Sequence, residues 1–153
     1  MESIRVLLVD DNPTFLRIAT RFLEQDQAVT PAVVPAVTPA VTPLITSRHR
    51  VTVVGTAGGG EEALALAERL SPHVILLDLM MPGVGGLEII PRLRAILPDV
   101  GIIALTLLDT SSYRSAALAA GADVFIAKSA MSTDLLPAIQ LVIQARKTTG
   151  TRV

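Results

Sequence analysis

Four apolar runs in this chain each stop at a side chain that can do chemistry. "IRVLLV" (4–9) stops at Asp10 and Asp11, and "HVILLD" (73–78) ends in Asp78. "VGIIALT" (100–106) ends in Thr106, and "VFIA" (124–127) stops at Lys128. Three carboxylates brought together repel, and one of them would hold a proton unless a cation joined them. A hard divalent cation such as Mg2+ takes oxygen ligands and leaves waters for a phosphate. Lys128 would add a positive charge, and Thr106 a donor to a phosphoryl oxygen. A carboxylate can itself be the nucleophile and form an aspartyl-phosphate. Cation and ammonium would then neutralise the charge that develops on the transferring group. A lone acid at a strand end is usually a turn former or a helix cap. It is the set of D-D, D, T and K at four strand ends that makes the chemical reading specific.

These residues share one rim only if their strands are parallel, so the elements between them matter. After Asp11, Asn12 can cap a helix and Pro13 suits its first turn. Phe15, Leu16, Ile18, Ala19, Phe22 and Leu23 would form its apolar face. "VTVVG" (51–55) is a second strand, and "GGGEEALALAERL" (58–70) a glycine-led helix. "LEIIPRLRAIL" (87–97) is a helix with Pro91 in its early part, and "SSYRSAALAAG" (111–121) is one that Gly121 can end. "TDLLPAIQLVIQARK" (133–147) is the last, with Pro137 expected to disturb its first turns. Five strands alternating with five helices predict right-handed crossovers and a parallel sheet covered on both faces. Ligands of such sheets bind outside the C-terminal strand ends.

The bulk composition agrees. The chain has 153 residues, half of them hydrophobic but only 3% aromatic, so its core must be built from Val, Ile, Leu and Ala. A net charge of −1 gives no electrostatic case for nucleic acid or an anionic membrane. Cysteine is absent, which rules out a disulfide framework and thiolate metal sites and suits a reducing cytoplasm. "MESIRVLLVDD" is no signal peptide, because its apolar run is short and ends in two acids.

The combined pattern resembles the receiver domain of two-component response regulators, close to the nitrate-response subfamily. The resemblance rests on "VLLVDDNPTFLR", "GTAGGGEEALALAERL", "VILLDLMMPGVGGLE", "IIALT" and "AAGADVFIAKS". It implies a flavodoxin-like, doubly wound sheet of order 2-1-3-4-5, with a receiver domain over 1–147 and a tail over 148–153. It makes Asp78 the phosphoacceptor and Mg2+ the cofactor. Asp11 would be a direct ligand, Asp10 would act largely through metal-bound water, and the carbonyl of Met80 would complete the protein ligands. Thr106 and Lys128 would bind the phosphoryl group, and Phe125 would be the switch aromatic that turns inward when Thr106 moves. The chain would then be a signalling switch rather than an enzyme, catalysing its own phosphorylation and dephosphorylation at most. The donor would be a sensor histidine kinase, a phosphotransfer protein or an acyl phosphate. The fourth helix, fifth strand and fifth helix would carry the signal to a downstream protein or an output domain, or into a homodimer.

Four departures from the family pattern stand out. Ser129 follows Lys128 where Pro is usual, and Leu107 stands where a small residue is common. Gly85 replaces an acid, and Met80 and Leu108 flank the site with apolar side chains. These are expected to alter loop geometry and the lifetime of the phosphorylated state. Two other functions compete. A degenerate receiver would serve only as a docking module. A haloacid-dehalogenase-like phosphatase would use Asp10 as nucleophile, but the second acid of its motif is Asn12, and Asp78 would have no role.

One stretch fits none of this. "VTPAVVPAVTPAVTPLI" (29–45) places proline at 31, 35, 39 and 43 in an uncharged, low-complexity segment. It forms the core of an insertion over about 28–49, between the first helix and the second strand. Four prolines at helical-turn spacing argue against a membrane span, because each would cost a helix about 3 kcal/mol. An extended surface loop, or an arm that associates with a partner or a second copy, is expected. After Lys147 only "TTGTRV" remains, so the chain reads as a stand-alone receiver or as part of a longer regulator.

Overall fold

The computed structural model describes residues 3–25, 50–81, 83, 85–107 and 111–151. Among these, strands and helices alternate as β1 (Ser3–Val9), α1 (Pro13–Gln25), β2 (Arg50–Ala57), α2 (Gly60–Leu70), β3 (Val74–Asp78), α3 (Gly86–Ile96), β4 (Gly101–Thr106), α4 (Ser111–Ala120), β5 (Val124–Ala127) and α5 (Met131–Thr151). A 3-10 turn, Lys128–Ala130, joins β5 to α5. The strands form one parallel sheet of order β2-β1-β3-β4-β5. The predicted insertion at 28–49 lies wholly outside the described residues, and Arg50, just after it, opens β2.

The sheet is doubly covered because each strand is apolar on both sides, and side chains on a strand alternate between faces. Leu7, Val9, Ile75, Leu77, Ile102, Ala104 and Phe125 pack beneath α2, α3 and α4. Their neighbours Val6, Leu8, Val74, Leu76, Ile103, Leu105 and Ile126 pack against α1 and α5.

The predicted elements hold but differ in extent and detail, and α5 runs four residues past its predicted end at Lys147, to Thr151. β2 runs two residues beyond its predicted end, to Ala57. Its register against β1 shifts between Val6↔Val53 and Leu7↔Gly55, so Val54 is the extra residue of a bulge. Ile18 is not on the buried face of α1: it is 54% exposed, whereas Ala19 and Leu23 are buried. One helical step turns a side chain by about 100°, which carries Ile18 off the stripe that Ala19 centres. Pro137 does not disturb α5, which begins at Met131 and continues through the proline. Burial of Leu135, Ile139 and Val142 on either side offsets the missing hydrogen bond. At the end of α4, Gly121 does act as the cap. Its φ is +125°, Ala122 N donates to Ala117 O at 3.0 Å, and Gly121 N donates to Leu118 O at 3.2 Å.

Candidate functional site

Register brings the chemical residues together. Val9 lies opposite Leu77, so Asp10 and Asp78 follow side by side at the ends of β1 and β3. Asp78 lies opposite Leu105, and Thr106 opposite Ala127, which places Thr106 and Lys128 on the same rim. The two-residue alternation then sorts them. Asp10, Asp78 and Lys128 continue the phase of the strand side chains that face α1 and α5, whereas Thr106 continues the phase of Phe125. Backbone bonds lock the rim: Asp10 N donates to Ala57 O at 3.0 Å, and Leu79 N to Leu105 O at 3.1 Å.

Asp10, Asp78 and Thr106 are buried, and Asp11 is exposed. The Lys128 ammonium lies 2.6 Å from Asp10 Oδ2 and 3.7 Å from Asp78 Oδ2. Asp10 Oδ1 accepts the Asn12 amide at 2.9 Å, so both of its oxygens are engaged. Asp78 Oδ1 accepts the Met80 amide at 3.1 Å. Burial pushes the Asp78 carboxyl up from its ordinary 3.8 to about 6. The Met80 hydrogen bond opposes that rise, the Asp10 charge adds to it, Lys128 lowers it, and Asp11 raises it further.

One oxygen from each of Asp10, Asp11 and Asp78 lies within 4.8 Å of the others. Lys128 balances only part of that charge. An all-carboxylate donor set with one exposed member matches a hard, partly hydrated divalent cation. Soft metals would want sulfur or imidazole, and this site offers neither.

Two supporting residues were not anticipated in the sequence. Gly86 opens α3 directly against the end of β3. A Cβ there would stand 2.5 Å from the Asp78 carbonyl oxygen and 2.6 Å from Leu79 Cα. The signal available in the sequence is the glycine cluster that ends eight residues after Asp78, at the start of a helix. Phe15, read as part of an apolar face, has its ring centroid 4.2 Å from Lys128 Nζ. Asn12 caps α1 as expected, its Oδ1 accepting the amides of Thr14 at 2.9 Å and Phe15 at 3.3 Å.

Phe125 is buried, and the Arg114 guanidinium lies 4.8 Å from its ring centroid. Among the departures, Ser129 sits within the 3-10 turn, Gly85 caps α3, and Leu107 and Met80 are exposed beside the site. Leu108 lies outside the described residues.

Residues 34–140 match the family model of the response regulator receiver domain. That span holds Asp78, Thr106 and Lys128, while Asp10 and Asp11 lie ahead of it. The response regulator GacA of Pseudomonas protegens is 34% identical over 144 residues, covering 94% of this chain and 57% of that protein. The nitrate/nitrite response regulator NarL of Escherichia coli K12 is 40% identical over 89 residues, covering 58% of this chain and 41% of that protein. The chain therefore spans about half the length of these curated relatives. Among solved structures, a LuxR-family two-component response regulator from Aurantimonas sp. SI85-9A1 superposes with a TM-score of 0.73 at 26% identity, over 95% of this chain and 88% of that one. The response regulator domain of Thermotoga maritima CheB superposes with a TM-score of 0.68 at 27% identity, over 94% of this chain and 98% of that one.

Proposed function

We propose, on the premise that this chain belongs to the response regulator receiver domain family, that it is a signalling switch that takes a phosphoryl group on Asp78. The observation that carries the reading is the rim itself: one buried carboxylate flanked by two acids, a buried hydroxyl and a lysine. Asp78, with its pKa near 6, is mostly ionised at neutral pH and so able to attack. An Oδ–P bond forms on Asp78 as the bond from phosphorus to the donor breaks. The leaving group, an acyl carboxylate or the imidazole of a phosphohistidine, departs with the electron pair. The Met80 amide on Oδ1 fixes the carboxylate rotamer for that approach. Lys128, now 3.7 Å from Asp78, closes on a phosphoryl oxygen, and the Thr106 hydroxyl donates to another.

The residues that would hold Mg2+ are Asp11 and Asp78 directly, Asp10 largely through bound water, and the Met80 carbonyl. The division between the first two acids is supported by the exposure of Asp11 and by the engagement of both Asp10 oxygens. When bound, the cation would neutralise the carboxylates and the charge developing on phosphorus.

Movement of Thr106 toward the phosphoryl group would be felt by Phe125, and through it by the face built from α4, β5 and α5. A sensor histidine kinase or phosphotransfer protein as donor, a downstream protein or output domain as reader, and a cytoplasmic site of action complete the proposal. Among the described residues no helix is long and apolar enough to cross a membrane. The test is intact mass after incubation with an acyl phosphate and Mg2+. One phosphoryl group should be gained by the wild-type chain and none by Asp78→Asn; uptake by both would reject the assignment.

A further inference from the structure

We propose that Phe15 is a positioning residue for Lys128, its ring face defining where the ammonium can stand during phosphoryl transfer. The inference deepens the reading above and rests on it. The ammonium meets Asp10 Oδ2 at 2.6 Å and Asp78 Oδ2 at 3.7 Å, and the Phe15 ring centroid at 4.2 Å closes a third side. The Lys128 side chain is only 10% exposed, so little water competes for that side. A cation over a ring face is held by the negative π cloud, and the hold strengthens as water is excluded.

The ring is itself placed by the site. Asp10 Oδ1 accepts the Asn12 amide, and Asn12 Oδ1 accepts the amides of Thr14 and Phe15. Asp10 thus holds Lys128 directly with one oxygen and, with the other, anchors the turn that carries Phe15 over it. Phe15 also packs against the core on this side of the sheet, so the ring has a fixed seat. Without the π face, Lys128 would turn toward water on that side and spend less time within reach of a phosphoryl group on Asp78.

The test replaces Phe15 in the full chain by a trifluorinated phenylalanine, which keeps the shape and removes the negative face. Its phosphorylation rate with an acyl phosphate and Mg2+ should fall about five- to tenfold, the effect expected of a partly desolvated cation–π contact. Phe15→Tyr should stay within about twofold of wild type. Independently of any phosphorylation, the Lys128 Hε resonances should be shifted upfield by the ring in wild type and should lose that shift in Phe15→Leu. A trifluorinated protein that reacts at the wild-type rate, or wild-type Hε resonances without the shift, would overturn the inference alone. A wild-type chain that takes up no phosphoryl group would overturn the underlying functional reading as well.

Discussion

Asp78 carries a cost that follows from its place. A carboxyl with a pKa of about 6 in the fold and 3.8 outside it binds more protons folded than unfolded between those values. Stability from this group therefore falls as pH rises through that window. Below about pH 3 both forms are protonated and nothing is lost; well above pH 6 the full penalty, roughly 3 kcal/mol, is present. Asp78→Asn should accordingly stabilise the metal-free protein by up to that amount at pH 7, with the gain shrinking toward pH 4. Urea unfolding in the presence of a chelator measures it, and a gain independent of pH would contradict the origin in ionisation. A cation offsets the same cost, so Mg2+ should bind wild type, and Asp11→Ala should weaken binding at least about tenfold by calorimetry; equal affinities would remove Asp11 from the metal site. Asp10, Asp78, Thr106 and Lys128 were legible in the sequence because an apolar strand that ends in a functional group states both its position and its rim. Phe15 was not, because its contact with Lys128 joins residues far apart in the chain, and no spacing within α1 encodes it.

At the scale of elements, what the sequence conceals is how a helix meets a strand. The apolar stripe of α1 was readable, yet the exposure of Ile18 depends on how the helix is rotated over β1 and β2. Pro137 shows the reverse case, a local rule overridden by the burial of its neighbours. The junction of β3 and α3 depends on Gly86, where a Cβ would overlap the backbone of Asp78 and Leu79. Gly86→Ala should therefore cost about 1–3 kcal/mol, the usual penalty of overpacking a site that cannot relax. Because the clash is with the carbonyl of Asp78, the proposed phosphoacceptor, phosphoryl uptake should slow in the same variant. Thermal unfolding and uptake assays read the two effects, and a variant as stable as wild type would show that α3 can shift freely.

For the whole molecule, the alternation of elements and the rule of right-handed crossovers predict a doubly covered parallel sheet, the resemblance implies its order 2-1-3-4-5, and the described residues agree with both. The stretch 29–45 gave no such handle, since proline with β-branched neighbours specifies an extended backbone but no partner. In the chain it falls between α1, which ends at Gln25, and β2, which begins at Arg50 on the rim opposite Asp78. Replacing 29–45 with a short Gly-Ser linker should leave unfolding and phosphoryl uptake nearly unchanged and abolish self-association by sedimentation. Global unfolding of that variant would place the segment in the core instead. The proposed switch depends on phosphorylation of Asp78. The sequence makes that directly readable, because Asp78 is the only aspartate in the tryptic peptide 70–92, whereas Asp10 and Asp11 share the peptide 6–17. After reaction with an acyl phosphate and Mg2+, borohydride reduces an aspartyl-phosphate to homoserine, and fragmentation of the peptides locates it. Phosphorylation of Asp78 requires homoserine at position 78; homoserine at position 10 or 11, or at no aspartate, would contradict it.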